Sequence, residues 1–188
     1  MNTYDFDGTI YHGDSTVDFF LFALKTKPAI LRYFPCQLAG ALRYGLGLAD
    51  KTFLKEKFFS FFPAIDASDL VEVFWAAKHG NIYPWYPPHH KNDDIILSAS
   101  PEFLLRPICK RLGVQHLIAS RVDPSTGKFE GVNCRGSEKV KRLKEEYGVL
   151  HVDEFFSDSK ADSPMAAIAD HAFLIRGGKP VDWPWPRA

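Results

Sequence analysis

Asp5 and Asp7 are the residues of this chain whose type and spacing most directly suggest chemistry. They lie one residue apart, at the end of a short predicted strand and directly before Gly8. Side chains at positions i and i+2 of a strand share a face, and a glycine turn lets the backbone bring both carboxylates towards one point. Two carboxylates this close repel each other unless a cation lies between them or one carries a proton. The pair therefore predicts a hard cation such as Mg²⁺, with one carboxylate acting as nucleophile and the other as general acid and base.

The segment that contains Ser98 supports this interpretation, which needs support because aspartate is also common in turns. An apolar run at Ile95–Leu97 ends in Ser98. Ser100 followed by Pro101 is typical of a helix N-cap and a first helical position. We therefore predict a hydroxyl and free backbone amides where a strand ends and a helix begins, an arrangement that suits a phosphate oxygen.

Two later segments supply a lysine and two more carboxylates. Lys139 falls in the first turn of a helix predicted over Ser137–Tyr147, where a cation is unfavourable for the helix dipole and a function could offset the cost. Asp158 and Asp162 lie four residues apart in a loop after an apolar strand, and such loops supply metal ligands. Each feature alone also has an ordinary explanation, as a surface lysine or as an N-cap aspartate beside a solvated one.

Together and in this order, the four segments resemble the motifs of the haloacid dehalogenase-like (HAD) superfamily of phosphohydrolases. The matching residues are Asp5-Phe6-Asp7-Gly8-Thr9, Ser98, Lys139, and Asp158 with Asp162. The resemblance covers nearly the whole chain and departs from the family pattern at Ser157, where glycine is common. The runs 117–120, 133–139 and 157–164 resemble the branch that holds the phosphoserine-phosphatase-like enzymes and the C-type phosphatidylglycerophosphatases.

The resemblance implies a role for each motif residue. Asp5 would attack phosphorus, and Asp7 would protonate the leaving oxygen and then deprotonate the hydrolytic water. The implied ligands of Mg²⁺ are Asp5, Asp158 and Asp7, the last through its backbone carbonyl. Asp162 would either support the metal through water or orient Lys139. The implied phosphate-binding residues are Ser98, Lys139 and Gly8. Asp14 occupies a position where related phosphatases place a substrate-binding acid, although we favour a helix cap there.

The implied function is a Mg²⁺-dependent phosphomonoester hydrolase that acts through an aspartyl-phosphate on Asp5. Asp7 favours phosphoryl transfer over dehalogenation, because halide leaves without a proton. Alternatives are a phosphatase of a phospholipid head group such as phosphatidylglycerophosphate, and a phosphotransferase or phosphomutase with the same motifs. A degenerate binding domain is disfavoured by competent residues at all four motif positions. The substrate and the oligomeric state stay open.

The order of predicted elements indicates an α/β fold with a Rossmann-like, three-layer parallel sheet and a small helical cap inserted after the first motif. After the proline-rich stretch at residues 83–88, strands alternate with helices, which implies a parallel sheet with helices on both faces. The active centre should then lie at the carboxyl ends of the strands. We assign residues 1–13 and 87–188 to the catalytic core and residues 14–86 to the cap, with candidate hinges near Gly13 and Pro87-Pro88.

Phenylalanine-rich stripes at helical spacing predict the cap helices and their core. One predicted stripe is Val17, Phe20, Leu21 and Leu24, capped by Ser15 or Thr16. The segment 25–48 mixes basic and apolar residues. We expect its apolar residues to pack inside the cap, and contact with a membrane surface is the alternative.

Composition limits the partners and the compartment. The 188 residues include 23 basic and 23 acidic ones, so the chain lacks the basic excess that nucleic acid as main partner would require. Three scattered cysteines predict free thiols in a reducing compartment. No stretch reaches the roughly 20 uninterrupted apolar residues of a spanning helix, and the N-terminus has no apolar core typical of a signal peptide. We therefore expect a cytoplasmic location, with the inner membrane surface as the alternative.

Overall fold

A six-stranded sheet, with β1 at its centre, organises the fold. The structure is a computed structural model and describes residues 1–186. The strands are β1 (Asn2–Tyr4), β2 (Ile95–Pro101), β3 (His116–Ser120), β4 (Val152–Ser157), β5 (Ala169–Arg176) and β6 (Lys179–Asp182). Their order is β3-β2-β1-β4-β5-β6, parallel except for the antiparallel pair β5-β6. The chain fills one side of β1 with β2 and β3 and then crosses to β4, so the switch in strand order lies between β1 and β4, where α/β sheets bind ligands.

Strand register aligns the carboxyl ends that carry the motifs. Tyr4 of β1 is level with Ile96 of β2 and with Phe156 of β4. The residues that follow these three positions therefore emerge at one edge of the sheet. This alignment is the reason that motifs separated by some 90 and 150 residues can meet in one site.

Helices cover both faces of the sheet, as predicted for a three-layer fold. The helices are α1 (Ser15–Thr26), α2 (Phe34–Gly45), α3 (Lys51–Phe58), α4 (Ala67–Lys78), α5 (Glu102–Arg111), α6 (Ser137–Tyr147) and α7 (Ser163–Ala166). Ile96 and Phe156 pack in one hydrophobic cluster, whereas their neighbours Leu97 and Phe155 pack in a second cluster on the opposite face. The alternation is that of a parallel sheet buried on both sides.

The helices α1 to α4, with short 3₁₀ turns between them, form the insert between β1 and β2. The insert does not have a separate core among the described residues, because Phe62 and Phe74 belong to the same hydrophobic cluster as Phe6 and Leu105. The indole Nε1 of Trp75 on α4 also donates to the carbonyl oxygen of Leu104 at 2.5 Å. Packing therefore joins the insert to one face of the sheet.

Several local predictions were wrong in detail. Asp14, rather than Ser15 or Thr16, caps α1, where it accepts hydrogen bonds from two backbone amides. The buried positions of α1 include Phe19 and Ala23, whereas Val17 and Leu21 of the predicted stripe are 44% and 47% exposed. The stripe was misassigned because α1 is rich in apolar residues on several sides, so spacing alone does not select the buried face.

At the C-terminal side, β5 begins at Ala169, and the antiparallel strand β6 that follows it was not predicted. β6 is short and polar, with Lys179 at its start and Asp182 at its end, and it forms the edge of the sheet. An edge strand of this kind lacks the apolar run by which a buried strand is recognised.

The apolar residues of segment 25–48 do not pack inside the cap as expected. Seven of them are more than 40% exposed, and we call these seven the α2 surface: Leu31, Phe34, Leu38, Leu42, Tyr44, Leu46 and Leu48. Ile30 of the same segment is fully buried. In residues 1–186, the structure contains no helix with the length and apolar character needed to cross a bilayer.

Candidate active site

Asp5 and Asp7 follow β1 at the carboxyl edge of the sheet. The backbone amide of Asp5 still donates to the carbonyl oxygen of Phe156 on β4, at 2.8 Å, which fixes Asp5 beside the switch point. Gly8 then takes a positive φ of 71°, a conformation that favours glycine and turns the chain away from the sheet. Both carboxylates line one cavity of about 630 Å³, in which Gly8, Asp14, Ser98, Lys139, Asp158 and Asp162 also take part.

Lys139 on α6 is the buried cation of the site. Its Nζ donates to Asp5 Oδ1 at 2.7 Å and to Asp162 Oδ2 at 2.6 Å, and the residue is only 1% exposed. Ser157, the residue that departs from the family pattern, donates its hydroxyl to the same Asp162 oxygen at 2.9 Å. Asp162 thus contacts and orients Lys139 directly, which is one of the two roles that the sequence left open.

The pKa values of Asp5 and Lys139 are both raised, but for different reasons. Loss of hydration raises the pKa of Asp5 to about 7, and the neighbouring Asp162 charge adds to the rise although Lys139 opposes it. Burial by itself would lower the pKa of Lys139, but the Asp5 and Asp162 carboxylates outweigh it and raise that pKa above its ordinary value. The lysine is therefore charged, and it partly compensates the largely buried Asp5 carboxylate.

Asp7 is held by hydrogen bonds from the insert and from β2. The backbone amide of Ser15 donates to Asp7 Oδ1 at 2.7 Å, and the Ser100 hydroxyl donates to Asp7 Oδ2 at 2.5 Å. Burial, followed by repulsion from Asp14, raises the pKa of Asp7 to about 6 against these hydrogen bonds. A carboxyl with a pKa near neutrality can both donate and accept a proton, as a general acid and base must.

Ser100 does not have the role that the sequence suggested. It lies within β2, the helix α5 begins only at Glu102, and no side chain caps that helix. The Ser100 hydroxyl instead bonds Asp7 and lies 2.9 Å from the Thr16 hydroxyl of α1. Ser98, the predicted phosphate-binding residue, is buried beside it and accepts a hydrogen bond from the Ser100 amide at 3.1 Å.

Asp158 and Gly8 lie in close contact at the edge of the cavity. A Cβ atom added at Gly8 would overlap the Asp158 carboxylate, so glycine makes room for this side chain next to Asp5 and Asp7. Desolvation, and then repulsion from Asp162, raises the pKa of Asp158. The charge of Asp158 is thus less favourable here than in water, as expected of a carboxylate placed to face a cation.

The donor set fits a hard cation that completes its shell with other ligands. Asp5, Asp158 and the backbone carbonyl of Asp7 offer oxygen atoms at this edge of the cavity, and oxygen is the donor that Mg²⁺ prefers. In residues 1–186, no three Asp, Glu, His or Cys side chains are arranged to hold a metal ion on their own. Mg²⁺ commonly binds through one or two carboxylates and keeps water or substrate phosphate as its other ligands.

Two further residues of the cavity differ in how well the sequence predicted them. Asp14 lines the cavity and caps α1, as we favoured, accepting from Thr16 and Val17 at 2.9 and 3.0 Å. Lys55 was missed. Its Nζ reaches from α3 to the Ala99 carbonyl at 2.6 Å and to Asn133 Oδ1 at 3.1 Å, and burial lowers its pKa.

Comparison with known proteins agrees with this geometry. The family model described as haloacid dehalogenase-like hydrolase matches residues 3–167. Protein CicA of Caulobacter vibrioides is 30% identical over 95% of this chain and 87% of its own length. A probable phosphatase of Mycobacterium tuberculosis is 32% identical over 44% of this chain and 31% of its own length.

Solved structures show the same fold. A protein of unknown function from Bordetella pertussis Tohama I has a TM-score of 0.78 at 21% identity, over 93% of this chain and 88% of that chain. A probable phosphoserine phosphatase of Vibrio cholerae has a TM-score of 0.67 at 13% identity, over 91% of this chain and 55% of that chain. The fold is therefore similar to that of the Vibrio cholerae protein, and the chain belongs to the haloacid dehalogenase-like hydrolases.

Proposed function

We propose that this chain is a Mg²⁺-dependent phosphomonoester hydrolase that acts through an aspartyl-phosphate on Asp5. The observation that carries the proposal is the arrangement of Asp5, Asp7 and Lys139. The Asp5 carboxylate lies in a buried ion pair with Lys139, and Asp7, held by hydrogen bonds, lines the same cavity. A nucleophile, an acid and base, and a cation for developing charge are the three groups that this chemistry requires.

In the proposed reaction, Asp5 attacks phosphorus and the bond to the leaving oxygen breaks. One Asp5 oxygen is bound by Lys139, which leaves the other carboxylate oxygen for the attack. The Lys139 ammonium also offsets negative charge on the transferring phosphoryl group, and Ser98 supplies a hydroxyl from within β2. Asp162, which bonds Lys139 at 2.6 Å, keeps the ammonium directed at this point.

Asp7 handles the protons of both half-reactions. In its protonated form it donates to the leaving oxygen as the aspartyl-phosphate forms. The resulting carboxylate then accepts a proton from the water that attacks phosphorus and regenerates Asp5. The hydrogen bonds from the Ser15 amide and the Ser100 hydroxyl restrict the Asp7 side chain to one orientation.

Asp5, Asp158 and the Asp7 backbone carbonyl are the proposed ligands of Mg²⁺. When bound, the cation would supply positive charge that offsets repulsion between the nucleophile and the phosphate dianion. The position of Asp158 against Gly8 supports this assignment, because any larger residue at Gly8 would displace the carboxylate.

A phosphomonoester panel assayed with Mg²⁺ or with EDTA tests the proposed function. We expect phosphate release with Mg²⁺ and its loss in EDTA, restored when Mg²⁺ is added back. The panel should contain phosphoserine, sugar phosphates, nucleotides and phosphatidylglycerophosphate in detergent. Release that is equal in EDTA would contradict the proposed cofactor, and transfer of phosphate to an added alcohol or sugar in preference to water would indicate a phosphotransferase or a mutase.

A phospholipid head group is the second candidate substrate. The observation that favours it is Val17, which is 44% exposed and also lines the cavity. Leu54 and Phe58 of α3 line the same cavity, so the insert contributes apolar side chains to it beside the charged Lys51 and Lys55. Apolar and basic side chains together could accept an acyl-linked phosphate, and the lipid member of the panel decides between the two classes of substrate.

Lys55→Gln is expected to raise KM about 5-fold to 10-fold while kcat changes less than about 3-fold. Lys55 is a side chain of the insert that bonds Ala99 in β2, so its removal loosens the cavity wall without touching Asp5 or Asp7. The Ser120 hydroxyl lies within hydrogen-bonding distance of both Lys55 acceptors and can donate its proton to either, which limits the loss of stability. Steady-state kinetics, with the exposed Lys128→Gln as matched control, measure the effect. An unchanged KM would assign Lys55 a purely structural role.

A further inference from the structure

The outer side of α2 carries an uninterrupted apolar stripe. Phe34, Leu38 and Leu42 follow one another at intervals of four residues, so they share one face of the helix, and Leu46 follows directly after its last residue. Their exposed fractions are 52%, 47%, 59% and 72%. Soluble proteins rarely leave a contiguous apolar face of this size uncovered unless it binds something.

The opposite side of α2 explains why this stripe is not buried. Gly40 is buried, and a Cβ atom added there would lie 2.5 Å from the Lys57 Cβ, so α2 packs closely on α3 at that point. Gln37 adds a hydrogen bond from its side-chain amide to the Phe58 carbonyl at 2.9 Å. The face that carries Gly40 and Gln37 is therefore committed to the protein, which turns Leu38 and Leu42 outwards.

The charges of the segment that carries the stripe all have one sign. Between Asp18 and Asp50 the chain has no Asp or Glu residue, whereas this stretch contains Lys25, Lys27, Arg32 and Arg43, all exposed. The whole chain is neutral, so this local excess is a property of the segment and not of the composition. Asp66 and Asp69 of α4 share a groove with Lys27 and offset part of this excess. The occupant of the surface should therefore combine negative charge with apolar material.

We propose that the α2 surface docks on an anionic lipid membrane. A helix with an apolar face and basic flanks lies in the plane of a lipid interface, with the apolar side chains among the acyl chains and the basic groups near anionic head groups. A second copy of this chain fits less well, because a two-fold contact would bring the same basic residues of both copies together without any acidic partner from this stretch.

The position of α1 relates the surface to the cavity. Val17 lines the cavity, and Leu21 and Lys25 follow it at successive turns of α1, all three exposed. This exposed stripe runs from the cavity to the start of the segment that carries the α2 surface. Docking is independent of the proposed reaction, but it would place the cavity beside the lipid interface.

Sedimentation with vesicles tests the proposal on the full chain. Wild type should bind phosphatidylcholine vesicles that contain about 30% phosphatidylglycerol and should bind phosphatidylcholine alone at least about 10-fold more weakly. Leu38→Gln with Leu42→Gln should lower the partition coefficient at least about 10-fold. Lys27→Gln with Arg32→Gln should lower it about 10-fold on anionic vesicles only, and about 1 M salt should reproduce this loss.

Leu150→Gln is the matched control, since Leu150 is 64% exposed and lies outside the α2 surface. No binding of wild type to anionic vesicles, or equal binding by the Leu38/Leu42 variant, would overturn the proposal. A lipid-free dimer in analytical ultracentrifugation that the same variant dissociates would overturn it in favour of a second copy. Hydrolysis of a soluble phosphomonoester, measured in parallel, should be unchanged by all three variants. Vesicle binding without any hydrolysis would support docking and contradict the proposed function alone.

Discussion

Asp5→Asn is expected to abolish phosphate release, with a loss in kcat of about 10⁴-fold or more. The amide keeps the shape of the side chain but cannot attack phosphorus to form an acyl phosphate. Asp7, Lys139 and Asp158 stay in place, so substrate binding should change far less than turnover. Single-turnover assays with acid quench measure both the rate and the covalent phosphoenzyme, which should be absent.

The stability of Asp5→Asn separates a catalytic effect from misfolding. Burial raises the pKa of Asp5 to about 7, so above the ordinary pKa of aspartate the ionised group is less favourable in the folded than in the unfolded chain. Replacement by a neutral amide relieves this cost, and Lys139 retains Asp162 as its partner. We expect a Tm in EDTA equal to or above that of wild type, with the exposed Asp182→Asn as control. Full activity in Asp5→Asn would refute the assignment of the nucleophile.

The motif residues were predictable because strand topology brings them together. Asp5 and Asp158 each follow a short strand, Ser98 lies in β2 where its register shifts, and parallel strands deliver such residues to a single edge of the sheet. Lys139 could be placed because a lysine in the first turn of a helix conflicts with the helix dipole, and the structure resolves that conflict with two carboxylates. The predicted residues lie together where local pattern and topology agree, and their roles stay predictions.

Ser100 and Lys55 could not be assigned from sequence. The Ser-Pro pair at Ser100 has the pattern of a helix start, but the strand continues through both residues to Pro101, and the Ser100 hydroxyl turns to Asp7. Lys55 reaches Ala99 across 44 residues of chain, and no local pattern distinguishes it from Lys51 or Lys57. Both contacts depend on how the insert packs on the sheet. No periodic pattern of residues in the sequence indicates that packing.

The α2 surface shows a related limit. A four-residue apolar period in Phe34, Leu38 and Leu42 predicts a helix with one face covered, and α2 has that face. The period does not state whether the cover is the protein itself or a partner. Gly40 shows which side of α2 the protein itself covers, because it permits a close approach to Lys57 on the side opposite the apolar residues.

Lys139→Met is expected to lower the free energy of unfolding by about 3–5 kcal/mol and to reduce kcat at least about 10³-fold. Lys139 is 1% exposed and carries the positive charge between two carboxylates that are themselves largely buried. Without it, Asp5 and Asp162 face each other with no compensating ammonium, and the phosphoryl group loses a cation. Urea unfolding in EDTA measures the loss of stability without a divalent cation that could offset the carboxylates.

The exposed Lys144→Met on the same helix is the matched control and should change stability by less than about 0.5 kcal/mol. Asp162→Asn combined with Lys139→Met separates the two contributions. Removing the Asp162 charge should restore part of the stability that Lys139→Met loses, because one uncompensated buried carboxylate costs less than two. The double variant should nevertheless stay inactive, because Lys139 is the group that bonds the Asp5 nucleophile. Asp162 contacts Lys139 and the Ser157 hydroxyl, so its replacement does not restore a cation at Asp5. Equal stability of the single and double variants would show that the carboxylates, once freed of Lys139, find other partners or become protonated.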